Sequence, residues 1–112
     1  EGSVPLDLMF EAAPDLLWEP DLAWIVRGGA DPIAEVTARS ARVVAAHVKD
    51  IAPAGECADE DGWADVGHGT LDWPAIMAAV QATPAKYFVV EHDKPSDAAR
   101  FARRSFDTIA RW

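Results

Sequence analysis

The chain has 112 residues, half of them apolar, and a formal charge of −9 from 19 acidic and 10 basic side chains. That length suits one domain with its own core, and the apolar share argues against disorder. The acidic balance excludes nucleic acid and anionic membrane surfaces as partners, because both require a cationic face.

The opening, EGSVPLD, has neither the positive nor the apolar region of a leader. No apolar run approaches the roughly 20 residues that cross a bilayer. The expected compartment is the cytoplasm, although the missing leader says little about it where the natural N-terminus lies upstream. Pro5 to Ala13 predicts the end of a helix, stopped by Pro14. Leu16 to Trp18 is a short apolar run that suits a strand, with a break at Gly28-Gly29. Asp31-Pro32 is a strong helix start, an N-cap followed by proline at the first helical position, and predicts a helix to about Arg42. Val43 to Val48 is continuously apolar except for His47, the pattern of a parallel strand covered on both faces. Ile51 to Asp65 is rich in Ala, Gly and acids and reads as a loop of about 15 residues, a length that often marks function. It holds the one cysteine, Cys57, which cannot form an internal disulfide and belongs to no CxxC pattern. Thr70 to Thr83 predicts a helix with Asp72 as cap, Pro74 in the first turn, and Ile76, Met77 and Val80 at helical spacing. Tyr87 to Val90 is the third strand. It ends at Glu91-His92-Asp93 and turns through Lys94-Pro95. Ser96 is the predicted cap of a last helix with Ala98, Phe101, Ala102, Phe106 and Ile109 on one face.

Helices and strands therefore alternate, the rhythm of an α/β fold with parallel strands. Each predicted strand delivers ionisable groups at its C-terminal end: Glu19 and Asp21, then His47, Lys49 and Asp50, then Glu91, His92 and Asp93. In parallel α/β architectures ligands sit at that edge. An Asp, a His and a Glu form a mixed oxygen and nitrogen set suited to a divalent metal. The bland alternative is that the acids cap helices and His47 is a satisfied core group. Recurrence across three strands favours the metal. The segment VGHGT, Val66 to Thr70, offers two readings: glycine amides close to a phosphate or sugar hydroxyl, or a tight turn into the next helix. The turn is favoured, and His68 is a candidate substrate contact. Of five tryptophans, Trp24 falls in the predicted loop over the strand ends and suits an apolar wall for a sugar. Trp18, Trp63, Trp73 and Trp112 read as packing.

Glu19-x-Asp21-x-x-Trp24, Gly28-Gly29-Ala30-Asp31-Pro32, His47-Val48-Lys49-Asp50, Val66-Gly67-x-Gly69-x-x-Asp72 and Val90-Glu91-x-Asp93 together resemble the sugar-phosphate isomerase/epimerase group of xylose-isomerase-like TIM barrels. The resemblance runs from about Val4 to Trp112 and implies a (β/α)₈ fold of about 250 residues, of which this chain would supply the last three βα units as a partial barrel over 1–112. It implies a divalent ion (Mn, Co, Zn or Mg) held by Asp21, His47 and Glu91, with a further Glu from an upstream strand. It also implies that Glu91 is catalytic, one of an acid/base pair moving a proton next to a carbonyl. Trp24 and Lys49 would face a sugar or polyol, and Asp50 would orient a ligand or a lysine. Pro20, inside the first motif, predicts a strand that is short or ends before Glu19. Within the same superfamily a hydroxypyruvate isomerase or a dehydratase is an alternative. Endonuclease-like cleavage is disfavoured by the charge. A non-catalytic α/β binding module is the alternative from another class. The implied fragment would need the missing N-terminal barrel portion, or a second copy, to cover its open edges. A sharp melting transition from the isolated monomer would refute that dependence.

Overall fold

The computed structural model describes residues 4–112; the first three residues of the EGSVPLD opening lie outside them. Helix α1, Pro5–Ala12, starts on a proline and stops before Pro14 as expected. The chain then runs beside β1, Ala45–Val48. Trp18 bridges Val43 and Asp21 bridges His47, both in parallel. The first strand thus exists as two bridges around Glu19 and Pro20, and its pairing resumes at Asp21 instead of ending before Glu19. Pro20 causes no break because its carbonyl, not its missing N–H, meets the neighbour, accepting from the His47 amide at 2.8 Å. The partner offset grows by one residue between the two bridges, a bulge-like slip on the β1 side that brings Asp21 opposite His47.

Helix α2, Leu22–Arg27, follows at once, where the sequence reading expected a loop. Its start signal is Asp21, whose Oδ1 accepts from the Trp24 amide at 2.9 Å. Six residues are too few to show a helical period, so the cap was the only local clue. Helix α3, Pro32–Ala38, has the predicted Asp31 cap but ends four residues before Arg42, where a 3₁₀ turn over Ser40–Arg42 takes up the chain. Arg42 is drawn off to the carbonyls of Pro14 and Leu16 at 2.6 and 2.9 Å.

The predicted Ile51–Asp65 loop contains a hairpin: β2, Asp50–Ile51, pairs antiparallel with β3, Trp63–Ala64. Two-residue strands give too little alternation to be read from sequence. Helix α4, Trp73–Gln81, carries the predicted Asp72 cap, accepting from Ala75 N at 3.2 Å. Strand β4, Tyr87–Val90, pairs parallel with β1, Ala45 to Tyr87 through Val48 to Val90. Helix α5, Ala98–Ile109, is capped by Asp97, whose Oδ1 accepts from Arg100 N at 2.9 Å, and not by Ser96. Ser96 instead gives its amide and hydroxyl to Glu60.

The core lies between β1 and the helices: Leu22, Val36, Val43, Val48, Ile76 and Val80 pack together, each nearly or wholly excluded from water. Strand β4 is different, with all four side chains exposed. Among the described residues nothing covers the apolar groove of about 290 Å³ formed by Val90 with Phe101, Ala102, Phe106 and Ile109 of α5. The predicted apolar face of α5 is therefore real but partly open, and Phe106 is 69% exposed.

The polar face of α5 is bound to the hairpin. Arg100 donates to Glu60 and Asp65 at 2.9 and 3.1 Å, and Arg104 to Asp65 at 2.8 Å. Both carboxylates are buried. Hydrogen bonds from Ser96, helped by Arg100 and opposed by burial, hold the Glu60 carboxyl down at about 2, against an ordinary 4.5. Because the folded value is the lower one, this stabilisation is complete above about pH 4.5 and fades as the pH falls toward 2. Glu60→Gln is expected to lose about 3 kcal/mol at neutral pH and to show a flatter stability profile between those limits. Urea unfolding at a series of pH values measures both. Parallel profiles for the two proteins would exclude this role for Glu60.

Candidate metal centre

Extended chain turns alternate side chains to opposite faces, and this places the site. Glu19 and Asp21 share one face of the first strand, with the buried Pro20 between them on the other. His47 and Lys49 share the same face at the end of β1. The register that pairs His47 with Val89 continues through the Glu91 amide, which donates to the Val48 carbonyl at 3.1 Å. Glu91 and Asp93 therefore join that face. His92, one residue out of phase, is buried with its ring edge-on to Phe101.

The result is a convergence of Asp21, His47 and Glu91, with one ligand atom from each lying within 4.8 Å of the others. His47 Nδ1 stands 3.8 Å from Asp21 Oδ2 and is hydrogen-bonded to Glu91 Oε2. His47 Nε2 stands 3.1 Å from Glu19 Oε1. The bland reading of Asp21 as a helix cap holds for one oxygen only: Oδ1 caps α2, while Oδ2 turns to His47 and Lys49.

Lys49 is 1% exposed and reaches Asp93 at 2.7 Å, Asp21 at 3.4 Å and Glu91 at 3.6 Å. Burial is the largest single influence on its ammonium and pushes the pKa down. The Asp93 hydrogen bond and the charges of Asp21, Glu91 and Asp93 together outweigh burial and leave the value raised. The same Lys49 hydrogen bond pulls the Asp93 carboxyl below its ordinary value against the effect of burial. Four carboxylates thus surround one lysine and one imidazole. This excess of negative charge, with mixed oxygen and nitrogen donors, fits a divalent cation.

Trp24 belongs to α2 and not to a loop, yet it still stands over the strand ends. It is 52% exposed and meets the buried Trp63 edge-on at 5.1 Å. The Lys49 ammonium lies 4.8 Å from the Trp63 ring centre and 5.9 Å from that of Trp24. Trp73 and Trp112 stack at 5.3 Å, and Trp18 packs on Phe10.

Asp50 faces away from this cluster. It is completely buried and accepts from Ile51 N at 2.8 Å, Gly67 N at 2.9 Å, Gly69 N at 3.2 Å, Leu71 N at 3.3 Å and the Trp73 indole at 2.9 Å. None of these bonds goes to Lys49 or to a candidate ligand, so its task is to hold the VGHGT turn. The glycine amides enclose this internal carboxylate in place of a phosphate. A side chain at Gly69 would collide with the Asp50 carboxylate and the Ile51 carbonyl. His68 is exposed and lines a separate hollow of about 200 Å³ with Cys57, Glu60, Asp65, Arg100 and Arg104. That hollow shares no residue with the Asp21, His47 and Glu91 cluster. Glu19 and Asp93, which the sequence places among the strand-end acids without assigning either a role, belong to the cluster. Their two-residue spacing to Asp21 and Glu91 in extended chain puts them on the ligand face.

No family model and no curated protein matches the chain. Among solved structures it is similar to the sugar phosphate isomerase/epimerase from Parabacteroides distasonis ATCC 8503, with a TM-score of 0.74 and 23% sequence identity. The alignment covers 99% of this chain and 37% of that one. The fold is that of a partial parallel β/α barrel. At this identity the likeness concerns the fold, and this chain spans little more than a third of that protein's length. No helix among the described residues is long and apolar enough to cross a membrane.

Proposed function

We propose that this chain forms the last three βα units of a divalent-metal-dependent isomerase or epimerase acting on a sugar or sugar phosphate. The observation that carries the reading is the convergence of Asp21, His47 and Glu91 at the C-terminal edge of neighbouring parallel strands. The binding-module alternative lets these tips diverge; their 4.8 Å grouping favours the metal centre instead. The fold likeness to a sugar phosphate isomerase/epimerase supports the same choice.

Asp21, His47 and Glu91 would hold the ion, which when bound polarises substrate oxygens. Glu91 would take or return a proton at the carbon beside the carbonyl. Lys49, buried and fixed by Asp93, would hold Asp21 and Glu91 in place from behind instead of facing the substrate. Trp24 would present its exposed face to the carbon skeleton. A further barrel segment, carrying the second acid/base group, would cover the open face of β4.

Calorimetric titration with Mn²⁺, Co²⁺, Zn²⁺ and Mg²⁺ tests the centre, using the full reading frame that encodes these residues. At least one ion is expected to bind, and Asp21→Asn and His47→Gln are each expected to weaken it by about 100-fold or more, beyond what changes outside the ligand set produce. Absence of binding by every ion would remove the metal reading.

A further inference from the structure

We propose that His92 is a positioning residue whose Nδ1 fixes the turn that sets Glu91 and Asp93 on the ligand face. This inference rests on the reading of Asp21, His47 and Glu91 as a metal centre.

The sheet releases the chain just where the candidate ligand stands. The pairing of β1 with β4 ends at Val48 and Val90, and one further bond runs from the Glu91 amide to the Val48 carbonyl. By Asp93 the chain has already left the extended strand and bends toward α5. His92 supplies a tie across this stretch. Its Nδ1 accepts from the Lys94 amide at 3.1 Å, closing a loop of side chain and backbone around Asp93. The ring is itself anchored. Its side chain is wholly excluded from water and stands edge-on to Phe101 of α5, with the ring centres 5.3 Å apart. In extended chain the neighbours of an inward-facing residue face outward. Holding His92 inward therefore holds Glu91 toward His47 and Asp93 toward Lys49, the partners they hydrogen-bond.

An imidazole is not what packing alone would require here. A phenyl ring would fill the same space against Phe101 without buried polar atoms. His92 instead brings an Nε2 that is buried and has no hydrogen-bond partner among the described residues; the Glu60 carboxylate stands 3.5 Å away. A buried polar atom without a partner lowers stability. What the imidazole adds is the Nδ1 acceptor, and its hydrogen bond goes to the turn. The position thus serves the geometry of the turn more than the strength of the core. Asparagine carries an oxygen at the same distance along the side chain and closes the same kind of turn onto the amide two residues on. The ring's two roles, packing and tie, can therefore be separated by substitution.

The test compares the full reading frame in unaltered form with His92→Phe and His92→Asn, by calorimetric titration with zinc and by urea unfolding. His92→Phe keeps the contact with Phe101 and loses the tie. It is expected to unfold at the same urea concentration or a higher one, yet to bind zinc about tenfold more weakly, the lower end of what groups that orient metal ligands contribute. His92→Asn keeps the tie and loses the ring. It is expected to unfold at lower urea but to recover most of the zinc affinity. A purely structural role would make affinity follow stability, so the crossed pattern is the signature of positioning. Equal zinc affinity in the unaltered protein and His92→Phe overturns the role of His92 alone. So does a zinc loss in His92→Asn as large as that in His92→Phe. Failure of the unaltered protein to bind zinc removes the metal centre and this inference with it.

Discussion

Asp50→Ala is expected to destabilise the protein by about 4 kcal/mol or more, the largest stability effect of any single replacement proposed for this chain. The carboxylate is wholly buried and collects five donors, four backbone amides and the Trp73 indole. Its removal strands those donors away from water at about 1–3 kcal/mol for each that finds no substitute partner. It also loosens Trp73, a member of the core cluster, and with it the start of α4. Asp50→Asn is expected to fare little better, because its NH₂ group would point donors at donors. Urea unfolding gives the total loss, and hydrogen exchange at Gly67, Gly69 and Leu71 shows whether the turn opens first. A loss below about 1 kcal/mol in Asp50→Ala would show that water readily replaces the carboxylate and that the turn stands without it.

Asp50 also marks the boundary of what the sequence could reveal. Its neighbours in the HVKD segment alternate by the simple rule of extended chain, and that rule placed His47 and Lys49 on the ligand edge. The same rule sends Asp50 to the opposite face, where four of its five partners lie 17 to 23 residues onward, in a turn and helix start whose approach no local pattern foretells. The long elements were legible because their signals are local: Asp31-Pro32 and Asp72 announce helix starts, and the apolar runs before His47 and Glu91 announce strands. Helix α2 and the β2–β3 hairpin escaped because six and two residues hold too little periodicity. Ser96 was misassigned because Ser and Asp are both good caps and stand side by side; the buried Glu60, remote in sequence, claims the serine. The convergence of Asp21, His47 and Glu91 needed only the assumption of neighbouring parallel strands. The bulge-like slip that sets Asp21 opposite His47 needed coordinates.

On the proposed isomerase or epimerase reading, Glu91→Gln in the full reading frame that encodes this chain is expected to reduce turnover at least about a thousandfold while changing stability by less than about 1.5 kcal/mol. The two numbers must be read together. Glutamine keeps the size of the side chain, and Glu91 is about one-third exposed, so little packing or burial is at stake. What is lost is the basic oxygen. An amide cannot take a proton from carbon at neutral pH. Lys49 is held charged by Asp93, Asp21 and Glu91, and Asp93 is itself bound to Lys49. Solvent-exchange measurements in D₂O isolate this step: the unaltered protein should incorporate deuterium at the carbon beside the carbonyl of a ketose or ketose phosphate, and Glu91→Gln should not. Supplying metal to saturation in both samples separates the missing base from a weakened ligand. Deuterium incorporation at an undiminished rate in Glu91→Gln would assign the proton transfer to another group and leave Glu91 with a binding role alone.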